Sequence, residues 1–387
     1  MLLKSNGRDM QLSESKNQWV WLPEVRRFTE ALMSIATISP DAAGENECAA
    51  LIADLLSEGN GLQPEMWLTD DGRANVACLL VGEHPQTTKQ TVLVMGHYDT
   101  VGVKEFKALD PLTNGRIAFA PTQLRAVLSQ KLNHSPTTDE EEVWQDLNEQ
   151  VDGEWAWLFG RGSCDMKSGV AINIALMRHL WTIRQQLRGN VLFVACPDEE
   201  NESIGVRAAV QRLLDARDEY ALDYLGLINT DYAAPRNHTD NGRSIYVGTV
   251  GKLLPAFYIL GVPTHVGEPF RGVDAGQIAA EIVRRVNLNA ELCDRWVRED
   301  PEHEKEMRME TGVPPITLKV RDLKSGYNVQ TAAEAFVYIN WLTYTTTPAE
   351  ALEVMMNEAR QALKATLDHR NQQYQLFNKS GELPTQF

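Results

Sequence analysis

Cysteine is scarce in this sequence, and the few cysteines form no recognisable motif. Only five of the 387 residues are cysteine, at positions 48, 78, 164, 196 and 293. Scattered thiols of this kind, odd in number and without a CxxC pair, exclude a zinc-finger framework and a disulfide scaffold. The sequence therefore predicts reduced thiols and, with them, a cytoplasmic location.

Basic residues and long apolar runs are also lacking. The 37 lysines and arginines stand against 53 aspartates and glutamates, which gives a formal net charge of -16. Because an acidic protein repels phosphate backbones and anionic lipid, we expect no nucleic-acid partner and no membrane partner. No stretch of about 18 apolar residues is present, and the N-terminal string MLLKSNGRDMQLSESKN has no apolar h-region. We therefore expect neither a membrane-spanning helix nor a signal peptide in this sequence.

The patterning of the first 241 residues predicts a larger domain of the α/β class. Short apolar runs are typical of buried strands, and amphipathic helical patterns flank them. The predicted strands are 75–81, 91–96, 190–196 and 224–230. The predicted helices are 45–57, 167–184 and 205–217. This alternation predicts a mostly parallel sheet with helices on both faces.

One connection inside this domain, residues 106–152, is unusually long. It carries an acidic run at 139–142. A charged run of this kind favours a solvated surface insertion, and a lid or contact role is the alternative.

A different pattern begins at residue 242 and predicts a second, smaller domain over 242–379. The predicted strands are 244–262, 315–321, 334–343 and 373–377. The predicted helices are 274–287 and 348–366. The resulting βαββαβ order is that of a ferredoxin-like α+β sandwich.

Side chains able to bind a metal ion follow three of the predicted strands. The strings GHYDT, CPDEEN and INTDY each begin where a strand ends, and a further carboxylate lies in the glycine-rich string GRGSCDMKSG. In open α/β sheets, ligands bind beyond the carboxyl ends of the strands, so these groups should share one crevice. The residues concerned are His97, Asp99, Asp165, Asp198, Glu199, Glu200 and Asp231.

Each of these residues also has an ordinary structural interpretation. Asp165 is placed to cap a helix, Asp231 to form an Asx turn, and His97 to be a satisfied residue at a strand end. Their conjunction favours metal chemistry, because carboxylates gathered in one crevice repel one another unless cations offset them. One imidazole with several carboxylates suits zinc, manganese or cobalt, and two such ions can activate a shared water. The pattern therefore indicates metal-assisted hydrolysis.

Five strings match a known pattern in order and spacing: GHYDTVG, GRGSCDMKSGVA, PDEENESIG, INTD and GVPTHVGEPFRGVDA. They resemble the M20 family of metallopeptidases and amidohydrolases, and the long insertion and the string YINWLTY are similar to a branch of arginine-utilisation proteins. The resemblance implies a zinc-peptidase-like catalytic domain with a smaller lid domain. It also implies two divalent metal ions, zinc with manganese or cobalt as alternatives, and a homodimer formed through the lid.

The resemblance assigns metal ligands residue by residue. His97 and Asp231 match the terminal ligands of one ion. Asp165 matches the carboxylate that bridges both ions, and Glu200 matches a ligand of the second ion.

The same resemblance assigns three catalytic positions. Glu199 matches the general base that takes a proton from the attacking water, and Asp99 matches the acid that orients the His97 ring. His265 matches a histidine that polarises the substrate carbonyl, often across a dimer interface.

The implied function is hydrolysis of an amide or peptide bond in a small amino-acid derivative or short peptide. Family members return to the catalytic domain after the lid and supply a last histidine ligand, whereas neither His303 nor His369 lies in a matching motif. We therefore expect a chain shortened at its C terminus, in which 380–387 begin the return. The alternative is a non-catalytic metal-binding or interaction module, or an inactive fragment. A serine hydrolase is disfavoured because no GxSxG string is present.

Overall fold

The chain divides into two compact units, one made of the described residues up to 232 and a smaller one made of those from 245 onward. The computed structural model describes residues 21–132, 141–151, 153–232, 245–246, 248–299 and 307–378. The predicted domain boundary at 241, the predicted return at 380–387 and His303 lie outside the described residues. Among the described helices, none combines the length and apolar character needed to cross a membrane.

The larger unit is built on a five-stranded sheet. Its helices are α1 (Leu22–Met33), α2 (Ala42–Ser57), α3 (Pro121–Leu132), α4 (Glu141–Asn148), α5 (Lys167–Thr182) and α6 (Ile204–Tyr220). Its strands are β1 (Glu65–Leu68), β2 (Ala74–Leu80), β3 (Gln90–His97), β4 (Gln150–Val151), β5 (Glu154–Trp155), β6 (Asn190–Cys196) and β7 (Asp223–Asn229). The sheet has the order β1-β2-β6-β3-β7, and β4 pairs separately with β5.

Strand direction changes across this sheet. β3 runs parallel to both β6 and β7, whereas β2 runs antiparallel to both β1 and β6. β1 and β2 are joined by a short turn, which connects antiparallel neighbours. The expected α/β class is therefore present, with the parallel pairs confined to β6, β3 and β7.

The side chains of β6 show why helices cover both faces of the sheet. Phe193 and Ala195 belong to an apolar cluster with residues of α1, α2 and α5. Leu192, Val194 and Cys196 belong to a second cluster, with residues of α6. Because successive side chains of a strand point to opposite faces, a continuous apolar run needs cover on both.

Helix α5 begins close to the ends of β3 and β7. A Cβ atom at Gly169 would lie 2.2 Å from the carbonyl oxygen of Thr230, so the absence of a side chain permits this approach. Asn173 donates to the carbonyl oxygen of Met95 at 3.2 Å and to Oγ1 of Thr230 at 2.9 Å. These contacts hold the first turns of α5 beside the ends of two parallel strands, and the loop that carries Asp165 directly precedes them.

The long connection at 106–152 is folded in its described part, so the predicted solvated insertion is only partly right. It contains α3, α4 and β4. Phe119 joins Val103 in a small apolar cluster, and Leu124 and Leu147 are buried on α3 and α4. Positions 139 and 140 of the acidic run lie outside the described residues.

The smaller unit is an antiparallel sheet covered by two helices. Its strands are β8 (Gly251–Leu253), β9 (Ala256–Leu260), β10 (Arg295–Glu299), β11 (Met307–Thr311), β12 (Ile316–Asp322) and β13 (Glu334–Thr343). Its helices are α7 (Ala275–Val286) and α8 (Pro348–Phe377). β13 pairs with β12 on one side and with β8 and β9 on the other, and its alternate residues pack with α7 and α8 in one apolar cluster.

The predicted strand at 373–377 is wrong, because α8 continues to Phe377. Arg370 and Tyr374, one helical turn apart, are both buried. Arg370 donates to the carbonyl oxygen of Gly272 at 2.8 Å, and the Tyr374 ring lies 5.4 Å from the ring of Phe270. The smaller unit therefore shows βαββα order with an added β10–β11 hairpin, in place of the predicted βαββαβ.

Candidate metal centre

The ends of the three parallel strands bring the predicted site residues together. In the pairing of β3 with β6, His97 lies opposite Cys196, and in the pairing with β7, Met95 lies opposite Asn229. The segments that follow these strands therefore leave the sheet on the same side, at the carboxyl ends of the strands. This side is where a ligand site is expected in an α/β sheet.

Three of the four predicted metal ligands form a compact cluster. Each of His97, Asp165 and Asp231 offers one ligand atom, and these atoms all lie within 4.8 Å of one another. Nε2 of His97 lies 3.0 Å from Oδ1 of Asp165 and 3.8 Å from Oε2 of Glu199. The His97 side chain is only 3% exposed, whereas Asp165 is 49% exposed, so the cluster faces a crevice open to solvent.

Asp99 is buried next to this cluster and contacts both the His97 ring and the backbone of the two glutamates. Its side chain is fully buried, and Oδ1 lies 3.3 Å from Nδ1 of His97. The same carboxylate accepts the backbone N–H of Glu199 at 3.0 Å and that of Glu200 at 3.1 Å. One side chain therefore sets both the orientation of the imidazole and the position of the two consecutive glutamates.

The electrostatics of the crevice show an uncompensated negative charge. Burial opposes a charged His97, but the hydrogen bond to Asp99 and the nearby carboxylates raise the pKa of His97 to about 9. Burial, together with Asp231 and other carboxylates, raises the pKa of Glu199 against the opposing effect of His97. One imidazole nitrogen and several carboxylate oxygens that repel one another form a donor set that fits a divalent cation.

Two of the ordinary structural interpretations can be compared with the geometry. α5 begins at Lys167 after Met166, and no side chain caps this helix, so the alternative role of Asp165 as a helix cap is wrong. Asp231 accepts a hydrogen bond from the backbone N–H of Tyr232 at 2.7 Å, but Tyr232 is the next residue and not the one two positions on, so this bond does not form an Asx turn. This local bond occupies one carboxylate oxygen and leaves the other for a ligand.

Glu200 lies beside the cluster rather than in it. It is not among the three residues whose ligand atoms meet within 4.8 Å. The bond from its backbone N–H to Asp99, at 3.1 Å, holds it next to the crevice, and burial and the charge of Asp165 raise the pKa of its carboxyl group.

Asp198 does not join the crevice, although its position after β6 predicted it there. Its φ is +64°, a left-handed conformation that aspartate tolerates better than most residues, and its side chain is fully buried. The carboxylate accepts Oγ–H of Ser39 at 2.6 Å, Nη1–H of Arg73 at 2.7 Å and the backbone N–H of Ile204 at 3.1 Å. These bonds lower the pKa of Asp198 to about 2 in spite of its burial.

Arg73 is a buried residue that sequence reasoning missed. Its side chain is 2% exposed and forms ion pairs with Glu45 at 3.0 Å, Asp71 at 2.7 Å and Asp198 at 2.7 Å. Glu45 also accepts the backbone N–H of Asp198 at 3.1 Å. The sequence signal that could have indicated a buried ion pair was Glu45, an acidic residue within the apolar pattern of α2. Residues Glu45, Arg73 and Asp198, called the Arg73 network below, hold the segment that carries Glu199.

Lys167 anchors the loop of Asp165 from the other side. Its side chain is buried, and Nζ donates to the carbonyl oxygens of Leu32 at 2.8 Å and Ile35 at 2.7 Å. The loop is therefore tied to the end of α1.

His265 belongs to the smaller unit and is exposed there. Its Nδ1 accepts the backbone N–H of Gly267 at 3.0 Å. In the neutral ring this bond places the proton on Nε2, which can then donate to a substrate oxygen.

Comparison with known proteins shows a match over most of the chain. Residues 135–379 match Peptidase family M20/M25/M40. Protein RocB of Bacillus subtilis (strain 168) is 32% identical over 369 residues, which cover 93% of this chain and 60% of RocB. The uncharacterized protein YqjN of the same organism is 29% identical over 310 residues, which cover 80% of this chain and 51% of YqjN. The chain thus spans about half to three-fifths of the length of these relatives.

Solved structures show the same fold. The M20 family metallo-carboxypeptidase Sso-CP2 from Sulfolobus solfataricus matches with a TM-score of 0.52 and 13% identity, over 88% of this chain and 76% of that chain. The di-peptidase Dug1p from Saccharomyces cerevisiae matches with a TM-score of 0.52 and 14% identity, over 89% and 75%. These matches confirm the mixed α/β fold with a central sheet and helices.

Proposed function

Because the chain belongs to the M20/M25/M40 peptidase family, we propose that it acts as a metal-dependent hydrolase on an amide or peptide bond of a small amino-acid derivative or short peptide. The observation that carries this proposal is the cluster of His97, Asp165 and Asp231, whose ligand atoms lie within 4.8 Å of one another. Two divalent ions, zinc with manganese or cobalt as alternatives, are the proposed cofactors. When bound, such ions supply an acidified water and polarise the reacting carbonyl group.

His97 and Asp231 are the proposed terminal ligands of one ion. Asp165 is the proposed bridging carboxylate, because its side chain is 49% exposed and would be available to both ions. Glu200 is the proposed ligand of that second ion, held by the bond from its backbone N–H to Asp99.

Glu199 is the proposed general base. Its carboxylate lies 3.8 Å from Nε2 of His97, at the edge of the cluster, and its side chain is 45% exposed. This position at the edge of the cluster, beside the proposed ions, suits a group that accepts a proton from the attacking water. It takes a proton from the attacking water and returns it to the leaving amine.

His265 is the proposed donor to the substrate carbonyl, through Nε2–H. The resemblance to the family supports a homodimer formed through the smaller unit, in which His265 serves the other subunit. Sedimentation at micromolar concentration that shows only monomer contradicts this part of the proposal.

The proposed setting is the cytoplasm and amino-acid catabolism near arginine. All five cysteines are free, which suits a reducing compartment. The resemblance of the long insertion and of the string YINWLTY to a branch of arginine-utilisation proteins supports this link. A screen of N-acyl amino acids and dipeptides with the metal-loaded protein tests the substrate class.

A non-catalytic metal-binding module is the second candidate. It is favoured by one observation, since the compact cluster contains three of the four predicted ligands and not Glu200. Metal binding without turnover of any compound in the screen supports this candidate over the hydrolase.

We expect the purified protein to bind zinc or manganese, and we expect His97→Ala to weaken that binding. Loss of a metal ligand should lower affinity by about 100-fold or more, since even the loss of a group that only supports a ligand costs about 10- to 100-fold. Metal titration followed by elemental analysis of the protein measures both effects.

Asp218→Asn is the matched control, because Asp218 is 73% exposed on α6 and is paired with Arg217. It should bind metal as the unmodified protein does. Failure of the unmodified protein to bind either ion contradicts the proposed centre.

A further inference from the structure

Lys167 is a fully buried lysine that follows the proposed bridging ligand Asp165 by two positions. Lysine is almost never fully buried unless its charge is paired. Burial of an ammonium group is costly, so an apolar side chain of similar length would fill the same volume at a lower cost in free energy. Filling of the core therefore does not account for a lysine at this position.

The ammonium group of Lys167 is held at the end of helix α1. Its Nζ donates to the carbonyl oxygens of Leu32 at 2.8 Å and Ile35 at 2.7 Å. The same atom lies 5.8 Å from the centroid of the Phe119 ring, within the range of a cation–π contact. Because the C-terminal end of a helix carries partial negative charge, it favours a cation there. These contacts fix the Lys167 side chain at both its charge and its direction.

The loop that carries Asp165 curls around the stem of Lys167. Gly162 has a φ of +78°, and a Cβ atom there would lie 2.7 Å from Cδ of Lys167. A glycine therefore permits both the turn and the close approach. The backbone N–H of Ser168 donates to the carbonyl oxygen of Gly162 at 3.3 Å and closes the loop. Asp165 lies within the loop that this bond closes.

The carboxylate of Asp165 depends on this loop for its position. Its side chain is 49% exposed, so packing orients it little, and Oδ1 lies 3.0 Å from Nε2 of His97. Met166 is fully buried, and its Cε atom would lie 2.6 Å from a Cβ atom at Gly96. Such a thioether adapts to its surroundings, whereas the two hydrogen bonds of Lys167 have a defined direction.

We propose that Lys167 is a positioning residue, which holds Asp165 at the distance from His97 that a shared metal ion requires. The inference rests on the proposed metal centre and adds a residue that acts through the loop and not as a ligand. It also gives the end of α1 a part in metal binding, although Leu32 lies 135 positions before Lys167.

Arg178 offers a matched control, because it makes the same kind of contact from the same helix, α5. Its Nη1 donates to the carbonyl oxygens of Leu55 and Glu58, both at 2.7 Å, at the end of α2. It also pairs with Glu24 at 3.0 Å, so its removal costs at least as many contacts as removal of Lys167. The loop of the bridging ligand encloses the stem of Lys167 and not that of Arg178.

Titration of the metal-free protein with Co²⁺, followed by visible absorption, tests the inference without any substrate. We expect Lys167→Met to bind Co²⁺ at least about ten-fold more weakly than the unmodified protein, since loss of a group that supports a ligand costs about 10- to 100-fold. Its visible spectrum should also change, because the spectrum reports the geometry of the ligands. Arg178→Met should keep both the affinity and the spectrum, although its unfolding midpoint in urea should fall as well.

A second pair of variants tests the loop while Lys167 stays in place, so the test holds even if Lys167→Met does not fold. Gly162→Ala adds a methyl group against the lysine stem at a positive φ, and Gly153→Ala adds one at a φ of +85° with no atom within 4 Å. Both variants carry the same kind of backbone cost. We expect only Gly162→Ala to weaken Co²⁺ binding and to change the spectrum.

The outcomes separate this inference from the proposed function. Unchanged Co²⁺ affinity in folded Lys167→Met, or in Gly162→Ala, overturns the role of Lys167 and leaves the metal centre standing. An equal loss of affinity in the control of either pair also overturns it, because lower stability then explains the loss. If the unmodified protein binds neither Co²⁺ nor zinc nor manganese, the proposed metal centre fails, and the role of Lys167 fails with it.

Discussion

Glu199→Gln is expected to remove nearly all turnover while the protein retains its metal. The amide has the shape of the carboxylate but accepts no proton, and general-base catalysis typically contributes about 10²- to 10⁴-fold to a rate. Because the backbone N–H of residue 199 bonds to Asp99, the substitution leaves the segment and the metal ligands in place. The rate constant kcat with the best substrate of the screen, together with the metal content, measures the effect.

Glu202→Gln is the matched control for this variant. Glu202 is exposed and lies in the same loop, and the bond from its backbone N–H to Asp198 does not involve the side chain. The control should retain normal kcat. Equal activity of Glu199→Gln and the unmodified protein contradicts the assignment of the general base, even if metal binding is as proposed.

Arg73→Met is expected to destabilise the larger unit more than any surface substitution. Removal of the guanidinium leaves Glu45 and Asp198 buried without their cation, and breaking a buried ion pair in this way costs about 3–5 kcal/mol. Denaturation in urea, followed by tryptophan fluorescence, should show a lower midpoint for the variant.

The matched control for this substitution is Arg27→Met. Arg27 pairs with Glu58 at 3.3 Å, but both side chains are more than half exposed, and such surface pairs contribute about 0–1 kcal/mol. The midpoint of the control should therefore lie close to that of the unmodified protein. Coincident midpoints for the two variants mean that the Arg73 network does not stabilise the fold.

The kinetics of Arg73→Met test whether the Arg73 network also positions the general base Glu199, in addition to stabilising the fold. It holds the segment 198–204 through the carboxylate of Asp198, which accepts the backbone N–H groups of Glu202 and Ile204. If Arg73→Met still folds at low temperature, its kcat should fall more than its KM rises, because the position of Glu199 is disturbed rather than the binding surface.

Local patterns were enough to predict β2, β3, β6 and β7 and the residues that follow the last three, whereas the short strands β1, β4 and β5 were missed. Apolar runs without interruption define β3, β6 and β7, and His97, Asp99 and Asp231 follow at positions that chain order alone determines. The helix of 348–366 was predicted too short, because the string at 373–377 alternates like a strand while Arg370 and Tyr374 are buried at helical spacing.

What the sequence by itself determined is therefore the chemistry: few cysteines, an acidic balance, and one histidine with several carboxylates at successive strand ends. Only the tertiary structure decided which carboxylates enter the crevice. Asp198 turns away because Arg73, 125 positions distant along the chain, meets it in the fold. Ion-pair partners that are so far apart along the chain produce no pattern in the local sequence, because hydrogen bonds and burial depend on which residues are neighbours in space.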